Sequence, residues 1–166
     1  MVSRAEKDVI PMKLSTKTRY GLRALLYMAE RYDDGTKTVS VGEISRERKL
    51  SEKYLEQLFI KLKRRNIITS TRGAQGGYRL VASPEETTVA SVVEALEGPI
   101  SFADCVAGKG CREKGTCLSH GLWKRLKGSI DEILEGTTLA DLLVHPGGRD
   151  GGAVEERVQE FEKGAI

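Results

Sequence analysis

A mainly α-helical chain with a small β wing, built as a winged helix-turn-helix, is expected from three features of the sequence. Two capped, amphipathic segments, one opening at Ser40 and one at Ser51, are separated by about three residues, the layout of a helix-turn-helix. Directly after them, the β-prone runs IITST and YRLVA flank the glycine-rich RGAQGG, the pattern of a hairpin. Charge is concentrated in the same stretch. Between Arg46 and Arg79 there are ten Lys or Arg against three Glu, a local charge of +7, so the remainder carries −4 of a net +3. Such asymmetry marks a nucleic-acid-binding half.

Each element can be justified in order. Residues 1–11 form a charged leader without periodicity. Ser15 caps a helix whose apolar face holds Tyr20, Leu22, Ala24, Leu25, Leu26 and Met28, and Asp33-Asp34-Gly35 break it. Ser40-Val-Gly-Glu43 has the capping-box form, in which hydroxyl and carboxylate each serve an orphan N–H. Ser51 caps the next helix, with Tyr54, Leu55, Leu58, Phe59 and Leu62 at core spacing. Gly73, Gly76 and Gly77 supply the positive φ angles of a hairpin tip. Pro84 closes this module, so residues 12–83 are read as the DNA-binding domain.

A second part, residues 84–145, follows. Thr87 or Thr88 caps a helix that Gly98-Pro99 ends, and residues 99–117 form an irregular loop holding all three cysteines. A long helix then carries Leu122, Trp123, Leu126, Ile130, Ile133 and Leu134 on one side, and LADLLVH makes a last short helix. Residues 146–166 turn Gly-rich and polar, a weakly ordered tail.

Composition narrows the function. With 39% hydrophobic and 31% charged residues the chain suits a globular protein with an aliphatic core. No stretch approaches the ~20 apolar residues of a membrane span, and the first residues are too polar for a signal peptide. A cytoplasmic location is expected. No Ser/His/Asp set and no phosphate-binding loop after a strand is visible, so no enzyme is expected. His145 reads as a helix-end cation.

Cys105-x5-Cys111-x5-Cys117-x2-His120 carries the strongest chemistry. Thiolate and imidazole are ligands for zinc or for iron–sulfur clusters, and four of them complete either site. A structural zinc site usually has a tight Cys-x(2–4)-Cys knuckle, which is absent. Gaps of five residues let one loop wrap a larger object, so the spacing leans toward a cluster. A Cys3His zinc site stays open as the alternative.

The helix after Ser51 is the candidate recognition helix. Gln57 can pair with adenine, Glu56 can accept from cytosine N4, and Lys53 can read guanine or bind phosphate, with Ser51 beside them. A carboxylate facing DNA costs affinity unless it selects a base, which makes Glu56 notable. Lys61, Lys63, Arg64 and Arg65 suit phosphate neutralisation, and Arg72 in the wing suits the minor groove. Gly76 and Gly77 of the wing complete the candidate DNA-binding set.

On these residues the chain resembles the IscR-type family of iron–sulfur cluster regulators, which also includes the NsrR and CymR branches. The matching segments are MKLSTKTRYGLRALLYMA, SEKYLEQLFIKLKRRNII, RGAQGGYRL and the Cys-x5-Cys-x5-Cys-x2-His loop, and the likeness spans residues 12–145. The resemblance implies a homodimeric winged-helix repressor or dual regulator of cluster-assembly or iron and redox genes. It implies that the helix at about 119–135 pairs with its partner. It also implies one [2Fe–2S] cluster per chain, held by Cys105, Cys111, Cys117 and His120 and supplied by assembly machinery, whose state selects among operators. Ser51, Tyr54, Glu56, Gln57 and Arg72 fall where the family contacts DNA. The nitric-oxide-sensing branch takes its fourth ligand from an Asp in the first helix; here that position is Arg19, which cannot ligate iron, so that branch ranks below the IscR type as an alternative. The cysteine-metabolism branch lacks this cysteine set. Lys53 stands where the type member commonly has a small polar residue, so the operator need not be the type member's.

Overall fold

The computed structural model describes residues 15–73, 76–100, 106 and 117–144. In chain order the elements are α1 (Thr16–Ala29), α2 (Val41–Arg48), α3 (Glu52–Arg64), β1 (Ile68–Thr71), β2 (Gly77–Leu80), α4 (Val89–Glu97), α5 (His120–Glu135) and α6 (Leu139–Val144). The fold is mainly helical with a two-stranded wing, as the sequence led us to expect.

Local signals set the helix starts. The Ser15 hydroxyl accepts from the Lys17 N–H, and α1 then buries Thr18, Gly21, Ala24, Leu25 and Met28 along one stripe. Ser40 accepts from the Glu43 N–H at 3.1 Å. The Glu43 carboxylate accepts from the Tyr27 hydroxyl at 2.8 Å, which ties α2 to α1. Lys49 turns the chain between α2 and α3 in the left-handed conformation, φ 52°. The buried Leu50 pins that turn to the core. Ser51 occupies the N-cap of α3, but its side chain makes no capping hydrogen bond.

Helix α3 buries Leu55, Leu58, Phe59 and Leu62. The wing strands pair antiparallel, from Ile68 opposite Leu80 to Thr71 opposite Gly77. The wing glycines correct one expectation. Only Gly73 of the three has a positive φ, 117°. Gly76 and Gly77 are needed for close approach instead: a Cβ would sit 2.5 Å from the Thr71 carbonyl oxygen at Gly76 and 2.8 Å from that of Val39 at Gly77. At Gly77 the reason is that Val39 and Tyr78 exchange backbone hydrogen bonds of 2.8 Å, which docks the wing against the segment leading into α2; at Gly76 it is the tight hairpin itself, where the Gly76 N–H donates to the Gly73 carbonyl at 2.9 Å.

Thr88, not Thr87, caps α4, and Gly98 at φ 87° ends it. The hydrophobic core is continuous across Pro84, joining Val92, Leu96 and Leu139 to the buried side chains of α1, α2 and α3. Backbone bonds from Val89 N–H to the Thr137 carbonyl (2.8 Å) and from Leu139 N–H to the Thr87 carbonyl (3.0 Å) clamp the starts of α4 and α6 together. Helix α5 differs from the rest: none of its 16 residues is buried. Among the described residues no helix is long and apolar enough to cross a membrane.

Candidate nucleic-acid interface and metal site

Contacts on both edges of α3 define which of its residues remain outward. On one edge Tyr54 packs edge-on against Tyr20 of α1, ring centroids 5.8 Å apart. Farther along that edge the Lys61 ammonium donates to the Leu96 carbonyl at 2.9 Å. On the other edge the Lys63 ammonium donates to the Ser70 hydroxyl of β1 at 2.6 Å, fastening α3 to the wing. Past the end of the helix, Arg65 pairs with Glu94 of α4 at 3.6 Å. Between these edges lie Lys53, Glu56, Gln57, Ile60 and Arg64, all exposed. Ser51 is exposed at the head of the helix and Arg72 at the exposed end of β1.

The expected set is therefore brought together only in part: Lys63 and Arg65 are engaged by Ser70 and Glu94, and two further residues are qualified. Lys61 is drawn from the solvent face to cap α4, because the last carbonyls of a helix lack intrahelical partners and an ammonium there also meets the dipole favourably. Tyr54 is half-buried in an aromatic pair, so part of its surface is spent on packing. Gly76 and Gly77 shape the wing through their lack of a side chain.

The other constellation falls at the start of α5. His120 is its first residue, and its N–H donates to the Cys117 carbonyl at 3.2 Å, so the two candidate ligands are joined by a single turn. The His120 Nδ1 atom is buried and has no hydrogen-bond partner among the described residues. A buried imidazole nitrogen without a partner is costly, and a metal bond is one way to satisfy it. Among the described residues no three candidate ligands come together, but the Cys117 thiol and this orphaned imidazole nitrogen are donors of the type that a metal-bound group takes. Cys105 and Cys111 lie outside the described residues.

Ser119 stands beside these two candidate ligands, although the sequence reading did not single it out. Its side chain makes no capping bond. Its hydroxyl accepts from the Trp123 indole N–H at 3.2 Å and stands 3.3 Å from the Cys117 sulfur. With its acceptor side engaged by Trp123, its own proton can be directed to the sulfur. The only legible hint was the Ser119/Trp123 spacing of one helical turn.

Comparison with known proteins agrees with this architecture. The Rrf2 family profile, described as an iron-dependent transcriptional regulator, matches residues 14–145. A putative HTH-type transcriptional regulator, ORF2, of Azotobacter vinelandii is 39% identical over 148 residues, 89% of each chain. The HTH-type transcriptional regulator IscR of Aliivibrio salmonicida is 38% identical over 133 residues, 80% of this chain and 78% of that one. Among solved structures, CymR, the global cysteine regulator of B. subtilis, superposes with a TM-score of 0.67 at 37% identity, covering 79% of this chain and 95% of that one. The T. potens IscR structure does so with a TM-score of 0.65 at 33% identity, covering 87% and 97%.

Proposed function

This chain belongs to the Rrf2 family of winged-helix transcription regulators, and we propose that within it the protein senses an iron–sulfur cluster and selects operators by cluster state. It is a DNA-binding regulator and not an enzyme. Likeness of fold does not separate the branches, since CymR and IscR structures superpose about equally well, with TM-scores of 0.67 and 0.65. The observation that carries the cluster reading is the buried His120 Nδ1, without a hydrogen-bond partner among the described residues and one turn from Cys117.

In this reading Cys105, Cys111, Cys117 and His120 hold one [2Fe–2S] cluster per chain, delivered by assembly machinery. When bound, such a cluster supplies a redox-active centre whose presence tracks iron and oxidant. The chain's own residues do the rest. Ser119 directs its proton toward the Cys117 sulfur, a contact of the kind that tunes potential. Ser51, Lys53, Tyr54, Glu56, Gln57 and Arg64 of the recognition helix meet the major groove, and Arg72 reaches the duplex from the wing. The copies pair through α5, the one long helix that buries none of its residues within its own chain. Such a regulator would work in the cytoplasm, where its operators are.

The deciding measurement is visible absorbance of anaerobically purified protein, with assays for iron and acid-labile sulfide. A coloured protein holding both is expected, and His120→Cys should keep the colour while lowering the potential, because a thiolate's negative charge replaces a neutral ligand. A colourless protein with one zinc per chain would overturn the cluster reading and leave a winged-helix regulator with a zinc-stapled loop.

A further inference from the structure

Helix α3 carries one residue on its outward face that neither charge nor hydrogen bonding explains. Ile60 is 52% exposed, among the large apolar side chains that the fold leaves in solvent. At about 100° per residue it lies on the side away from Leu55, Leu58, Phe59 and Leu62. It shares that side with Lys53, Glu56, Gln57 and Arg64. Tyr54 and Lys61 are held toward α1 and α4, and Lys63 is held toward the wing. Ile60 therefore occupies the middle of the stripe, with exposed cations on either side of it along the helix.

We propose that Ile60 is a specificity-determining residue that reads the C5-methyl group of a thymine in the major groove. The inference rests on the reading that α3 enters that groove. Thymine's methyl is the one apolar feature on the major-groove edge of the base pairs, and apolar side chains are its natural contact. An isoleucine against phosphate or a base's polar edge would strip water from groups it cannot pair. The flanking Lys53 and Arg64 supply the charge that would bring this stripe onto a polyanion. Ile60 lies about 4.5 Å along the helix axis from Gln57, roughly one base step of ~3.4 Å. The thymine read by Ile60 is thus expected next to the base pair read by Gln57.

The test begins with a duplex recovered by the wild-type protein from a randomised library. Each thymine in one half-site is then replaced singly by deoxyuridine, which removes the methyl and nothing else. For the wild type, one such replacement should weaken binding about fourfold, the worth of one buried methyl-sized group. For Ile60→Ala the same replacement should be close to neutral, with the other thymines responding as before. A wild type indifferent to uracil at every position would overturn the proposal. So would an Ile60→Ala variant that keeps the full methyl sensitivity, or a recovered site with no thymine beside the Gln57 base pair. Gln57→Ala is run in parallel. If it changes the recovered sequences while Ile60→Ala does not, the role of Ile60 fails and the recognition helix stands. If neither variant changes them, the placement of α3 in the groove fails as well.

Discussion

Glu97 shows how one residue can hold distant parts of this chain together. It is the last residue of α4, and its carboxylate accepts from the hydroxyls of Ser15 and Thr18 at the start of α1, the latter at 3.0 Å. Lys17 stands 3.9 Å away. Partial burial alone would raise its carboxyl, but the two hydroxyls and the ammonium outweigh burial and hold it below the usual carboxylate range. The sign of the pH effect follows. A group whose pKa is lower folded than unfolded contributes stability above its unfolded pKa and loses it as pH falls through the folded one. Glu97→Gln should therefore destabilise the protein by about 1 kcal/mol at neutral pH, with the deficit shrinking toward pH 3. Thermal melts of wild type and variant from pH 7 down to pH 3 check this; a deficit that does not change with pH would mean the charge on Glu97 is irrelevant.

At the scale of elements, α3 divides its basic residues between two tasks. Lys61 satisfies the Leu96 carbonyl near the C-terminus of α4, whereas Arg64 is exposed and no ion pair or hydrogen bond among the described residues engages it. Lys61→Met should weaken the docking of α4 on α3 by about 1 kcal/mol while leaving the salt dependence of DNA binding unchanged. Arg64→Ala should do the opposite, sparing stability and lowering the slope of log K against log salt by about 0.9 for each phosphate that Arg64 neutralises. Denaturant melts paired with binding at several salt concentrations separate the two. An equal drop in slope for both variants would return Lys61 to the DNA face. The same last turn of α4 receives Lys61, Arg65 and Thr18 within Glu94–Glu97.

Helix α5 buries none of its 16 residues. Leu122 is 60% exposed and Ile133 49%, on the same side as Trp123, Leu126 and Ile130. A helix that is apolar on one side and unburied by its own chain implies a partner surface, and in the proposed reading a second copy covers it. Leu122→Glu should shift sedimentation from dimer to monomer and collapse operator affinity, because two linked half-site contacts become one. The isolated monomer should keep its fold, since Leu122 contributes nothing to the buried core. A variant that stays dimeric by sedimentation would remove α5 from the interface.

Much of this was legible in the chain itself, and the limit has a physical cause. Helix starts at Ser15 and Ser40, the inward stripe of α3 and the existence of the wing all depend on bonds and periodicities spanning a few residues, and these are written in the order of the amino acids. The family-bearing motifs and the Cys/His spacing are equally local. Which cation faces solvent was decided only by tertiary structure: Lys61 meets a carbonyl 35 positions away, and Thr18 meets a carboxylate 79 positions away. Gly76 and Gly77 likewise owe their role to close backbone approach, not to the dihedral freedom that a glycine announces in sequence. Periodicity says which face of a helix is buried; only the arrival of other helices and the wing says what each edge residue will touch.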